Sequence, residues 1–423
     1  MREIRPYDLV HATAHLEKIL YISYDGLTDP LGQSQILPYV IELSKAGYRF
    51  TILSFEKHSR FEKNRRIIKK LTCAAEINWE FLRFTTKPPL LAKLYDMLRL
   101  RRKVLRLHRR ESFDMVHCRG YLSADIGLEL KKKFNVKLFF DMRGFWPDEK
   151  RDSGAWNQKH LLFRWIYQYY KQKERQFIKK LDCIVSLSEA GKKEILNWES
   201  YNPSRPLEVI PCCVDMDLFS VVTPLQRSAS RSLLGIRNGR LVLSYLGSVG
   251  CWYMLHEMLI LFRYVKTQYA DALFLFVTPA SPETILAKVD ELNLRRDDVV
   301  IVEASRQEVP MFIKASDLSV SFIQPFYSKI SSSPTKMAEV LAIGIPVITN
   351  SGVGDVKQII ESANAGFVID KFSEDDYLKV VAQIPVLLQL SADKVRASIQ
   401  HVYSLERAII LYRDLYAKMF SIN

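Results

Sequence analysis

The chain has 423 residues, 48% hydrophobic and 26% charged, with a formal net charge of +14. That length exceeds what one hydrophobic core usually organises and points to two domains, and the composition excludes a disordered or fibrous protein. The charge is uneven: residues 1–220 hold 40 Lys and Arg against 27 Asp and Glu, whereas residues 221–423 hold 21 against 20, so an anionic partner is expected for the N-terminal part. That partner is a phosphorylated substrate, an acidic membrane surface or nucleic acid.

Residues 1–18 mix charges and histidines without the apolar core of a signal peptide, and no run of about 18 uncharged apolar residues follows. A cytoplasmic protein is expected. The six cysteines form no Cys-x-x-Cys pair and the histidines add no ligand spacing, so neither a disulfide nor a metal site is expected.

In chain order, Lys18–Ser23 reads as a strand, followed by a turn and a helix over residues 36–46. The turn, Tyr-Asp-Gly-Leu-Thr-Asp-Pro-Leu-Gly-Gln-Ser-Gln at 24–35, is no Gly-x-Gly-x-x-Gly fingerprint, which disfavours a nicotinamide cofactor. Gly32 and Gln33 at the helix start would let backbone approach a phosphate or sugar; a plain strand-to-helix turn formed by Asp29 and Pro30 is the alternative. Further strands are predicted at 49–55, 113–117, 137–141 and 183–187, separated by helices, which gives a parallel α/β domain. Residues 90–110 form a basic amphipathic helix, suited to anionic lipid headgroups or to covering its own domain with a solvated charged face. Asp-Met-Arg-Gly at 141–144 ends a strand at the edge where open α/β sheets expose ligand contacts. Arg143 there suits a donor sugar or an acceptor phosphate, or forms a structural pair with Asp141. His117 and Arg119 end another strand, where a single histidine reads as structural. Aromatic residues between Trp156 and Tyr170 stand among lysines, but helical spacing explains them as core-facing and no nucleic-acid module accompanies them.

Residues 206–240 contain Pro206, Pro211 and Pro224 without a sustained apolar period and read as an interdomain connection, placing the boundary near 220. A second strand series follows at 241–246, 273–277, 299–302, 318–322 and 346–349. The domains are therefore 1–220 and 221–402. A last helix within 403–423 carries Leu405, Ala408, Tyr412, Leu415, Tyr416 and Met419 on one side, a stripe that needs a surface to bury it.

The strongest local signal is Lys-Ile-Ser-Ser-Ser-Pro-Thr-Lys-Met-Ala-Glu at 329–339, ending in Ala-Ile-Gly-Ile-Pro-Val at 342–347. It reads as a helix opened by Ser332 or Ser333, with Pro334 in its first turn. Free N–H groups there, with Ser333, Thr335 and Lys336, suit a diphosphate, and Glu339, four residues after Thr335, suits two ribose hydroxyls. An ordinary capped surface helix is the alternative.

With Ile-Pro-Cys-Cys-Val-Asp-Met-Asp-Leu-Phe at 210–219 and Tyr-Leu-Gly-Ser-Val at 245–249, this segment resembles glycosyltransferase family 4, over roughly residues 18–420. The resemblance implies a GT-B fold and a retaining, hexosyl-type transferase that moves a sugar from a UDP- or GDP-linked donor without a metal. The acceptor domain is then the N-terminal one, with the last helix packing back on it and a glycan or lipid-linked acceptor in surface polysaccharide or glycoconjugate synthesis. It further implies donor contacts from Gly32, Gln33, Gly247, Ser248, Ser305, Arg306, Ser332, Ser333, Thr335, Lys336 and Glu339, and catalytic roles for Arg143, Lys336 and Glu339. Two departures stand out. Ser331 occupies the place of the family's first carboxylate, and the stretch Val-Gly-Cys-Trp-Tyr-Met at 249–254 lacks the usual Arg and Lys, so Lys336 or Lys329 is expected to supply that charge. A sugar-nucleotide epimerase or a non-catalytic sugar-nucleotide-binding partner would use the same fold.

Overall fold

The computed structural model describes residues 16–421, so most of the stretch read against a signal peptide lies outside the described residues. Seven parallel strands form the first sheet: β1 (Lys18–Ser23), β2 (Arg49–Glu56), β3 (Asn78–Arg83), β4 (Met115–Arg119), β5 (Lys137–Asp141), β6 (Cys183–Ser186) and β7 (Leu207–Val209). Their spatial order is β3-β2-β1-β4-β5-β6-β7. The helices between them are α1 (Pro30–Gln35), α2 (Leu37–Lys45), α3 (His58–Ala74), α4 (Pro89–Glu111), α5 (Tyr121–Phe134), α6 (Trp146–Asp152), α7 (Leu161–Lys180) and α8 (Glu189–Leu196).

After α9 (Pro224–Leu233) comes a six-stranded parallel sheet of β8 (Val242–Leu246), β9 (Leu273–Val277), β10 (Val299–Val302), β11 (Leu318–Ser321), β12 (Val347–Asn350) and β13 (Gly366–Ile369), ordered β10-β9-β8-β11-β12-β13. Its helices are α10 (Leu255–Gln268), α11 (Pro282–Glu291), α12 (Val309–Ile313), α13 (Thr335–Ile343), α14 (Val356–Ala363), α15 (Glu374–Leu388) and α16 (Ala392–Tyr403). The final helix, α17 (Leu405–Ser421), returns to the first sheet.

Helices cover both faces of each sheet, which is why central strands read as continuous apolar runs rather than as alternation. In the first domain Leu20, Ile22 and Phe140 pack under α5 and α7, while Ile19, Phe50 and Phe139 face Val40 of α2 and Tyr412, Leu415, Tyr416 and Met419 of α17. The apolar stripe of the last helix is thereby buried.

Several boundaries differ from the sequence expectation. β3 and β13 lie at sheet edges and are only partly buried, so their patterns are too weak to stand out. The stretch 206–240 is more than a connection: it holds β7 and α9, with Thr223 and Gln226 forming a capping box and Pro224, read as a breaker, at the helix start. The helix expected over 36–46 is α2, and a short helix the sequence did not separate from the turn, α1, precedes it and is parted from it at Ile36, whose φ is −128°. The strand expected at 113–117 runs two residues later, as β4.

Candidate active site

The carboxyl edges of the two sheets meet, and three loops and one helix start converge there. The loop after β1, at the point where β2 and β4 flank it, is held by a carboxylate that no sequence motif singles out. Buried Glu56 accepts from Leu27 N (2.7 Å), Thr28 N (3.1 Å), the Thr28 hydroxyl and Ser54 Oγ (2.6 Å). Gly32 is buried in α1, where a Cβ would lie 2.0 Å from the Gly26 carbonyl oxygen. Its smallness lets the helix pack on the loop. Gln33 turns back and donates to Thr28 O at 3.1 Å.

In the second domain α13 starts at Thr335, one or two residues later than expected: Pro334 is the N-cap, and no side chain caps the helix. Ser332 and Ser333 serve elsewhere. The Ser333 hydroxyl accepts from Cys212 N at 3.1 Å, and the Ser332 carbonyl lies against Gly354. The first N–H groups of α13 thus keep the unpaired character that attracts an anion. One turn on, fully buried Glu339 accepts from Arg306 Nη1 at 2.8 Å and from Lys336 Nζ at 2.9 Å. Arg306, expected among the donor contacts, orients this carboxylate, and its guanidinium sits 5.4 Å from the centre of the Phe219 ring. Phe219 closes the 210–219 motif, whose Asp215 accepts from Asp217 N and Leu218 N, and Arg396 holds its carbonyl at 2.8 Å. In the same loop Ser305 N donates to Glu308 Oε2 at 2.8 Å. Gly247 N donates to Val277 O at 3.1 Å, and Ser248 O accepts from Tyr245 Oη at 2.7 Å.

The 3-10 turn Tyr327–Ser331 joins the domains. Tyr327 donates to Glu194 (2.7 Å), Ser328 N to Asp152 (3.1 Å), and Ser188 Oγ to Ile330 O (2.7 Å). From the loop before α14, Asp355 accepts from Glu189 N and Ala190 N at the start of α8. Lys329 pairs with Glu149 of α6 at 2.8 Å and stands 3.7 Å over the Trp252 ring, so a cation is brought in space to the stretch that lacks one in sequence. Ser331 is buried, and its hydroxyl finds no partner among the described residues; a Cβ on Gly191 would lie 2.7 Å from it.

Arg143 belongs to a buried cluster. It lies 3.4 Å from Asp141 Oδ1, 3.4 Å from Gln35 Oε1 and 3.0 Å from Cys212 Sγ, while Arg119 lies 3.4 Å from Asp141 Oδ2. Burial alone would raise the Asp141 pKa, but Arg143, His117 and Arg119 together hold it well below the carboxylate range. Arg143 thus ties the end of β5 to the interdomain segment. His117 stacks on Phe139 and shares a 2.6 Å hydrogen bond with Tyr416 of α17.

Burial holds the His117 pKa below the ordinary 6.5, against the opposing pull of Asp141. A depressed histidine pKa means that the folded state disfavours protonation, so its stabilising contribution is present above about pH 6.5 and lost as pH falls. Thermal midpoints measured from about pH 7 to about pH 5 should decline for the wild type and decline less for His117→Asn.

Two Rossmann-like domains joined in this way, with an uncapped helix start and a cation-bridged carboxylate at their junction, define the GT-B class. The model of glycosyltransferase family 4 matches residues 37–218 and that of glycosyl transferases group 1 matches residues 226–386. The chain belongs to this family and is a glycosyltransferase. Sucrose-phosphate synthase from Thermosynechococcus elongatus superposes with a TM-score of 0.72 at 16% identity, over 96% of this chain and 100% of its own. Anabaena HepE in complex with UDP-glucose gives 0.67 at 14%, over 96% and 100%. WaaG, a glycosyltransferase involved in lipopolysaccharide biosynthesis, gives 0.65 at 18%, over 93% and 99%. At such identities the likeness is one of fold. No curated protein matches the chain by sequence.

Proposed function

We propose that the chain is a retaining hexosyltransferase that moves a sugar from a UDP- or GDP-linked donor to a glycan or lipid-linked acceptor in surface polysaccharide or glycoconjugate synthesis. The observation that carries this reading is the start of α13, uncapped, with Lys336 beside it and Glu339 one turn on. The diphosphate sits on the free N–H groups of Thr335, Lys336 and Met337. Glu339 keeps unused lone pairs after accepting from Arg306 and Lys336, so ribose hydroxyls have acceptors there. That HepE was solved with UDP-glucose supports a uridine donor, and the WaaG likeness supports an acceptor of the glycolipid kind.

The sugar then points toward the Lys329–Glu149 pair and the buried edge at Arg143. In a same-face displacement the bond from C1 to the diphosphate oxygen breaks as the bond from C1 to the acceptor oxygen forms. The departing phosphate oxygen takes the acceptor proton, so no protein nucleophile or metal enters. The chain contributes position and charge: Lys336 leaves Glu339 for the diphosphate, with Lys329 as the second cation. Lys336→Ala should lower kcat by roughly 10²-fold with its fold intact; an unchanged kcat would remove Lys336 from the mechanism. Work at the cytoplasmic face of a membrane fits the basic helix α4. No helix among the described residues is long and apolar enough to cross one.

Thermal denaturation against UDP- and GDP-sugars tests the donor reading. At a ligand concentration near 100 times Kd, binding stabilises by about 2.7 kcal/mol, which raises the midpoint by several degrees. Stabilisation by none of them would overturn the donor site, and binding without sugar transfer would leave a non-catalytic partner.

A further inference from the structure

A groove of about 890 Å³ lies between α4, α5 and α7, away from the donor helix. Its walls expose large apolar side chains: Leu94 is 60%, Leu98 44% and Trp165 65% accessible, with Trp156 and Tyr170 stacked behind them. Trp165 thus departs from the expectation that the aromatic run faces a core. A concave, mainly apolar groove with a few charged groups is the setting in which ligands of this size bind. The volume falls within the range of about 300–1,000 Å³ typical of small-molecule sites.

The charges sort by position. Arg101 and Lys173 on the walls are neutralised by Glu129 and Asp125, and exposed Lys132, in the last turn of α5, stands singly with no salt bridge among the described residues. Lys93 and Lys150, at the end near α6, face each other with no salt bridge holding either among the described residues. The Lys93 ammonium stands 4.7 Å from the centre of the Trp146 ring and 5.7 Å from that of Tyr24. Burial, and then the charge of Lys150, pushes its pKa down to about 8. A neighbouring anion would reverse that shift. Tyr24 follows β1 and Trp146 opens α6, so this end of the groove reaches the carboxyl edge of the sheet, where the candidate active site lies.

We propose that the groove holds the hydrocarbon chain of an anionic acceptor lipid, with its phosphate between Lys93 and Lys150 and its reacting end turned toward the interdomain junction. This rests on the lipid-linked branch of the acceptor reading above. Concavity favours a single chain as the occupant over a flat bilayer, and the convergence of two cations, Lys93 and Lys150, beside Trp146 gives the chain a direction.

Tryptophan fluorescence titrations with farnesyl phosphate, farnesol, inorganic phosphate and phosphatidylglycerol vesicles test it. Farnesyl phosphate should bind at least about tenfold tighter than farnesol or inorganic phosphate, as one or two charge-assisted contacts require. Lys93→Ala combined with Lys150→Ala should reduce it to the level of farnesol, and Leu94→Asp, on an exposed position, should weaken both prenyl ligands. The proposal is overturned if the phosphate adds nothing, if these substitutions leave binding unchanged, or if vesicles bind while the monomeric prenyl phosphate does not. Nucleotide-sugar thermal shifts on the same variants separate the two readings: a preserved shift with no prenyl binding sinks the groove and leaves the donor site standing.

Discussion

Glu339→Gln should lower both stability and turnover, and by amounts that separate the two roles of the carboxylate. The wild-type side chain is fully buried between two cations. Removing its charge leaves Arg306, only 14% accessible, without a counter-charge. Breaking a buried pair by deleting one partner costs about 3–5 kcal/mol. Lys336 is 43% accessible and turns to water instead, so the expected loss is near the lower end, about 3 kcal/mol. At roughly 2–4 °C per kcal/mol for a domain of this size, the midpoint should drop by about 6–12 °C. Glutamine still accepts one ribose hydroxyl but no longer two strongly, so kcat/KM should fall by about 10²-fold, mostly through KM. Kinetics below the lowered midpoint, alongside calorimetry, check this. A destabilised variant with unchanged donor affinity would reduce Glu339 to a structural ion pair.

How far the sequence reaches is set by where the information is local. The two sheets were legible because parallel strands buried on both faces leave apolar runs, and α13 was legible because Pro334, Thr335 and Gly344 mark its start and stop within a few residues. β3 and β13 were not, since edge strands share their pattern with loops. At the site, local reading put Glu339 one turn into a helix, where the structure has it, but could not show what pairs with it. Arg306 stands 33 residues away in sequence, and only the crossing of α13 toward the end of β10 brings it to Glu339. Lys329 was a candidate for charge, yet nothing in sequence pairs it with Glu149, 180 residues away, or lays it on Trp252. Glu56 carried no signal: a glutamate ending a strand becomes informative only when Leu27 and Thr28 are seen to donate to it. Arg143 was read with two alternatives, and burial beside Asp141 favours the structural one without removing its nearness to the junction.

Gly32→Ala is expected to be the more damaging of the loop substitutions. Alanine favours a helix over glycine by about 1 kcal/mol, and in open space it would stabilise α1. Here the added Cβ would lie 2.0 Å from the Gly26 carbonyl oxygen and 2.7 Å from Leu27 Cα, both backbone atoms that no rotamer change relieves. Nor can the loop retreat readily, since Glu56 fixes Leu27 and Thr28 through the hydrogen bonds described above. Helix α1 must therefore lift. Overpacking typically costs about 1–3 kcal/mol, and a clash with backbone atoms belongs at the upper end, so a net loss of about 2 kcal/mol remains after the helix gain. The functional loss should exceed that figure, because the same helix carries Gln35, which donates to Cys213 O at 3.0 Å and faces Arg143. Displacing it shifts the interdomain segment and the alignment of the reacting groups, for which an error of about 1 Å costs about 10²-fold. Gly250→Ala, where no atom lies within 4 Å of the added Cβ, serves as the comparison and should leave the midpoint unchanged. If Gly32→Ala retains wild-type midpoint and kcat, the loop after β1 yields more than its glutamate clamp implies, and its place in the active site is lost.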